Sequence, residues 1–326
     1  MRPGLPALLA AVACGAAMAQ TAVPDGPRPP SLPEAAFEKI DQSLRERVAT
    51  ADSAEAHFVR GLQATMDPGT RIAGYAEAWR RQPAELLFLS SFADACMVRA
   101  IPAWPDCAST DPISRWASRD ADNAVPRVLL AERARQRGDL PGMREQLAYA
   151  AELKRFDSYR PRGAQAVWRL IAGIPAIAAE PEAPFAATTI GALRSDVATV
   201  EFATVCRPDA AGVVPEVGEH CRRLARTMAD RADTYEARMV GLAIAYSWSG
   251  SDDERKRLAA ERDRVVAAAL ECGNAKLAVI EILNRDAASR SLARDIEAGV
   301  VSDSAAMSDP ASCARVVARA KAAKLI

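Results

Sequence analysis

The sequence predicts an all-α protein made of stacked helical hairpins. Three observations predict it. Apolar residues recur at the 3.6-residue period through most of the chain after residue 33. Helix-start signals punctuate that pattern at Ser31, Asp67-Pro68, Asp111-Pro112, Asp139, Ser251 and Asp309-Pro310. No stretch sustains a period-2 alternation of β-branched residues, so essentially no sheet is expected.

Taken in order, a helix is expected from Glu34, with Ser31 as its cap and Phe37, Ile40, Leu44 and Val48 as its stripe. A second covers about 53–66 with Phe58, Val59, Leu62 and Met66, and Asp67-Pro68-Gly69 turns the chain. Helices at about 70–82 and 84–98 follow, the latter with Leu86, Leu87, Leu89 and Phe92. The stretch 99–111 is expected as a loop that carries Trp104 between two prolines, and a short helix starts at Pro112.

The clearest pair is 123–156. Val125, Val128, Leu129, Ala131 and Ala134 make one apolar stripe; Gly138 stands where a left-handed C-cap belongs; Met143, Leu147, Ala150 and Ala151 make the second stripe. Counted from Arg127, the residues are Leu130-Ala131, Ala134, Gly138-Asp139 at the turn, Met143-x3-Leu147 and Ala150. A second frame starts at Glu55 with Phe58, Leu62, Tyr75, Ala78 and Pro83. These positions resemble the tetratricopeptide (TPR) helical hairpin. The match is degenerate: Arg127 stands at the Trp position, Ala134 at the Tyr position, and Met143 and Arg71 at small positions. The resemblance implies an α-solenoid of stacked repeats, whose concave surface holds a peptide or a partner protein.

After Phe156 an apolar helix runs from Ala164 to Pro175. Residues 178–186, with two prolines, are expected as a linker between a TPR-like half, 34–177, and a second helical half, 187–326. The second half is expected as helices at 187–205, 216–230, 233–249, 251 to about 271, 275–285, 287–300 and from Asp309 onward.

Residues 1–19 have the form of a secretory signal peptide: Arg2, a short apolar run from Leu5 to Ala13, and Ala17-Met18-Ala19 before the cut. Cleavage after Ala19 into a periplasmic or secreted protein is preferred to lipidation at Cys14, because Ala11 stands where a lipoprotein signal wants Leu. Residues 20–33 are Pro-rich and expected as a disordered tether. Of 7 Cys, all but Cys14 lie in the mature chain: Cys96, Cys107, Cys206, Cys221, Cys272 and Cys313. An even number in an exported chain predicts disulfides. Sequential pairing, Cys96–Cys107, Cys206–Cys221 and Cys272–Cys313, is expected, because spacings of 11, 15 and 41 are each short enough to staple neighbouring helices.

Charge excludes some functions. The chain has 42 basic and 42 acidic residues, and losing Arg2 leaves 41 − 42 = −1, so no global field points to nucleic acid or an anionic membrane. No G-x-S-x-G, HExxH, phosphate loop or EF-hand loop occurs, and 2 His with no CxxC give no metal or cofactor site. Trp104, with the basic and aromatic group Lys154, Arg155, Tyr159, Arg160 and Arg162, is the candidate partner contact. The expected function is a non-catalytic protein- or peptide-binding scaffold of the cell envelope. The alternative is an envelope hydrolase that uses carboxylates in a helical cleft.

Overall fold

A computed structural model describes residues 34–64, 67–97, 104–194, 197–208, 215–302 and 309–326. The expected signal peptide and tether lie outside the described residues, as do Met66 and most of the loop before Trp104. The elements are α1 (Glu34–Thr50), α2 (Ala54–Gln63), α3 (Pro68–Arg81), α4 (Leu86–Cys96), α5 (Pro105–Thr110), α6 (Pro112–Arg119), α7 (Val125–Gln136), α8 (Leu140–Ala151), α9 (Arg162–Ala172), α10 (Pro175–Ala178), α11 (Ala183–Gly191), α12 (Val197–Val205), α13 (Pro215–Arg231), α14 (Tyr235–Ser247), α15 (Asp252–Leu283), α16 (Ala287–Val301) and α17 (Asp309–Ala322). No strand occurs among the described residues, only isolated bridges such as Asn123 to Arg155. No described helix is long and apolar enough to cross a membrane.

The helix ends follow from side-chain chemistry. Ser53, Asp67, Asp139, Thr234, Ser251 and Asp286 each accept a hydrogen bond from a backbone N–H in the turn they cap. Gly138 closes α7 with φ +75, the conformation a β-carbon would resist.

Consecutive helices pair: α2 on α3, α7 on α8 and α13 on α14 are the most extensive contacts, and α8 also packs on α13 and α14 on α15. Some helices leave this order, α12 by packing back on α7. α9 packs back on α2, and α11 packs on α1, α9 and α16, so an early element and a late one share neighbours. One hydrophobic core accordingly runs from Ile40 to Val301, and a smaller one lies under α15–α17 around Val279, Ile282, Ile296 and Val316.

Three expectations are corrected. Residues 178–186 are not a linker: α10 ends and α11 begins there, and Ala183 and Ala186 are fully buried. The prolines misled, because Pro184 occupies a first-turn position where the missing N–H costs nothing and Pro181 sits in the short turn between the two helices. The expected helix 187–205 is two helices. Arg194 between them is buried and donates to Ser90 (3.0 Å) and Asp94 (2.7 Å) of α4. The expected pair 251–271 and 275–285 is one helix, α15, since Gly273 weakens a helix by only about 1 kcal/mol.

The disulfides are the sequential ones. Cys96–Cys107, Cys206–Cys221 and Cys272–Cys313 have Cα separations of 5.7, 5.4 and 5.2 Å, within the usual range. Such bridges belong to a chain that matures in an oxidising, exported environment.

Candidate functional site

The residues singled out as partner contacts separate in the structure. Trp104 is exposed at the start of α5, its ring lying against Gly69. Lys154 is exposed. Arg155 points inward to an ion network with Asp120, Asp122 (2.9 Å) and Asp157 (3.3 Å). Tyr159 is buried, with its hydroxyl donating to Asp120 (3.0 Å), and Arg162 covers its ring at 4.4 Å. Asp120 also accepts from Trp116 Nε1 (3.0 Å) and Asn123 Nδ2 (2.8 Å), so it is the polar hub that holds the segment after α8 to the end of α6. Much of the basic group therefore has a structural partner, and Arg160 lines a cavity.

That cavity, of about 330 Å³, lies where α9, α11, α14, α15, α16 and α17 meet. Its volume is in the range of small-molecule sites. Close approach of α9 and α11 makes one side. A β-carbon on Gly191 would sit 2.3 Å from the Ala164 nitrogen, so only glycine admits this contact. The α17 side is set by the Asp309 N–H, which donates to the Asp233 carbonyl (2.7 Å) in the α13–α14 turn, and by the Cys272–Cys313 bridge to α15.

The polar lining is Arg160, Glu236, Lys276, Glu297, Asp309 and Thr188; the apolar part includes Pro161, Ala164, Val300 and Val301. Arg160 Nη1 donates to Glu236 Oε2 at 2.8 Å. Glu297 is 5 % exposed. Burial pushes its carboxyl above the ordinary value of 4.5, against the Thr188 hydroxyl and Lys276, which pull it down. Chemically the cavity offers a buried carboxyl raised above its ordinary value, cations and an aliphatic wall. No described group of His, Cys, Asp and Glu has the arrangement of a metal site.

Sequence reasoning named Arg160 but missed the others, because the lining comes from elements far apart in the chain. One local signal existed. Glu297 falls on the apolar stripe Ala293, Ile296, Val300 of α16, where a carboxylate is out of place unless it has a function or a partner.

A pH dependence follows. Glu297 is raised in the folded state, so the folded chain holds more protons than the unfolded one above pH ~4.5. Its contribution to stability is full below that value and is lost as pH rises through the folded value. Lys276, Arg160, Glu236 and Asp309 face the same cavity and modulate the window. The capping acids Asp67 and Asp286 are lowered by hydrogen bonds from Thr70 and Ser289, so their contribution is lost as pH falls. Urea unfolding at a series of pH values should show a decline on the alkaline side that Glu297→Gln flattens; an unchanged slope in that variant would place the titration elsewhere.

Comparison with known protein families, with curated proteins and with solved structures finds no match to this chain.

Proposed function

We propose that the mature chain is an exported, disulfide-stapled helical-repeat protein that binds a peptide or protein segment without catalysing a reaction. In this reading α2–α3 and α7–α8 are degenerate TPR-like hairpins. Their frames at Glu55 and Arg127 start one and two residues into the first helix of a pair, which supports the resemblance. The signal-peptide form of residues 1–19 and the three bridges support export to the periplasm or beyond.

The observation that carries the reading is the cavity itself: a hollow of about 330 Å³ with both charge signs and an aliphatic wall suits a short stretch of polypeptide. The test is selection of peptides from a displayed random library, followed by calorimetry on the native protein and on Val300→Trp, which fills the cavity. Selected peptides should bind the native protein and lose at least tenfold in affinity for Val300→Trp. Equal binding to both would overturn the assignment of the cavity as the site.

A second reading, the envelope hydrolase, is favoured by one observation. Glu297, Glu236 and Asp309 share the cavity, and a buried carboxyl raised above its ordinary value is what a general acid requires. Incubation of the selected peptides and of cell-wall fragments with native protein and with Glu297→Gln separates the two. Turnover present in the first and absent in the second would replace the binding reading.

A further inference from the structure

Lys276 is a cation without an ion-pair partner. It lines the cavity from α15 and makes no hydrogen bond or ion pair with another described residue. Neighbouring cations differ. Arg160 is held by Glu236 (2.8 Å), Lys321 by Glu271 (2.8 Å) and Arg290 by Glu182 (2.8 Å).

No acid among the described residues makes an ion pair with it, although Glu297 feels its charge. Glu236 is committed to Arg160, and Asp309 stands in the first turn of α17, outside ion-pair distance of Lys276. Glu297 is the acid that burial affects most. Its Oε1 lies 2.6 Å from Thr188 Oγ1, which in turn lies 3.2 Å from the Pro184 carbonyl. A hydroxyl has one proton to give. The shorter of its two contacts is to Glu297, so Thr188 donates to that carboxylate. Burial pushes the Glu297 carboxyl above its ordinary value, and the Thr188 hydroxyl and Lys276 pull it down. Pro161, Ala164, Val300 and Val301 form an aliphatic part of the lining.

We infer that the cavity takes the carboxylate end of an aliphatic molecule, with Lys276 as its counter-ion and the chain against Val300 and Val301. A partly desolvated ammonium attracts a carboxylate far more strongly than one in bulk water. The Gln165 amide, also in the lining, can donate a second hydrogen bond. Two sources share this chemistry, the C-terminus of a peptide and a free short-chain acid. The inference rests on the reading of the cavity as the ligand site.

The test uses the mature protein and four probes in calorimetry: N-acetylvaline, N-acetylvalinamide, acetyl-Ala-Ala-Val with a free carboxylate, and isovalerate. At least one free carboxylate should bind at least tenfold more tightly than the amide. Lys276→Met should remove that preference, Lys276→Arg should keep most of it, and both should retain the native circular dichroism. Tightest binding of the tripeptide would identify a peptide C-terminus and tightest binding of isovalerate a free acid; either supports carboxylate capture. Equal affinity for valine and valinamide derivatives, or a preference that survives Lys276→Met, overturns the inference. If Val300→Trp blocks the probes in that case, the cavity remains the site and only the carboxylate assignment falls. If Val300→Trp leaves probe binding intact, the cavity assignment falls as well.

Discussion

Full reduction of the three bridges should bring the folded protein to the edge of stability. The loops closed span 11, 15 and 41 residues. On the chain-entropy account these contribute about 3, 3 and 4 kcal/mol. Their sum is of the order of the whole net stability of a typical domain, ~5–15 kcal/mol. The order of reduction is set by access. Cys206 and Cys221 are fully buried in the main core, whereas Cys96 and Cys107 are only partly covered. Mild reductant should open Cys96–Cys107 first and Cys206–Cys221 last, as timed alkylation and peptide mapping would read. Opening Cys272–Cys313 has a separate consequence. It frees α17 from α15, and α17 carries Asp309 and Ser312 of the cavity, so Cys272→Ser with Cys313→Ser should lose ligand binding before it loses the main core. A doubly substituted protein that binds as before would show that α17 is held by its packing around Val316 alone.

Asp120→Ala should be the most damaging single substitution outside the apolar core. The carboxylate is 4 % exposed and accepts from Trp116, Asn123, Tyr159 and Arg155. Arg155 keeps Asp122 and Asp157, and Asn123 keeps the Asp157 carbonyl. The Trp116 indole N–H and the Tyr159 hydroxyl keep nothing, except that Tyr159 still accepts from Arg155. Each buried donor left unmet costs about 1–3 kcal/mol, so a loss of about 3–5 kcal/mol is expected. For a chain of this size that lowers the melting temperature by about 6–10 °C. Asp120→Asn keeps an acceptor oxygen and should lose roughly half as much. Calorimetric melts of the two variants check this; an alanine variant that melts within a degree or two of the native protein would show that the network is dispensable.

The same network shows what composition leaves open in the basic segment. Lys154, Arg155, Arg160 and Arg162 with Phe156 and Tyr159 have the composition of a contact patch. Composition cannot tell a cation that faces solvent from one that faces Asp120, and Asp120 lies 35 residues away from Arg155.

What the sequence determined by itself is what depends on neighbours in the chain. Helical periodicity, capping side chains and first-turn prolines act within a few residues, so the helices at Ala54, Pro68, Pro112, Val125, Leu140 and Asp252 start at or near their expected positions. Disulfide pairing was legible for the same reason: a helix that ends and a turn that returns bring Cys206 to Cys221 whatever the rest of the chain does. What only the tertiary structure decided is what depends on distant partners. Arg194 divides an expected helix because Asp94 waits for it 100 residues earlier. α11 is core and not linker because α1, α9 and α16 cover it. The cavity joins Arg160, Thr188, Glu236, Lys276, Glu297 and Asp309, six residues on six parts of the chain, and local propensity carries no information about which of them will meet.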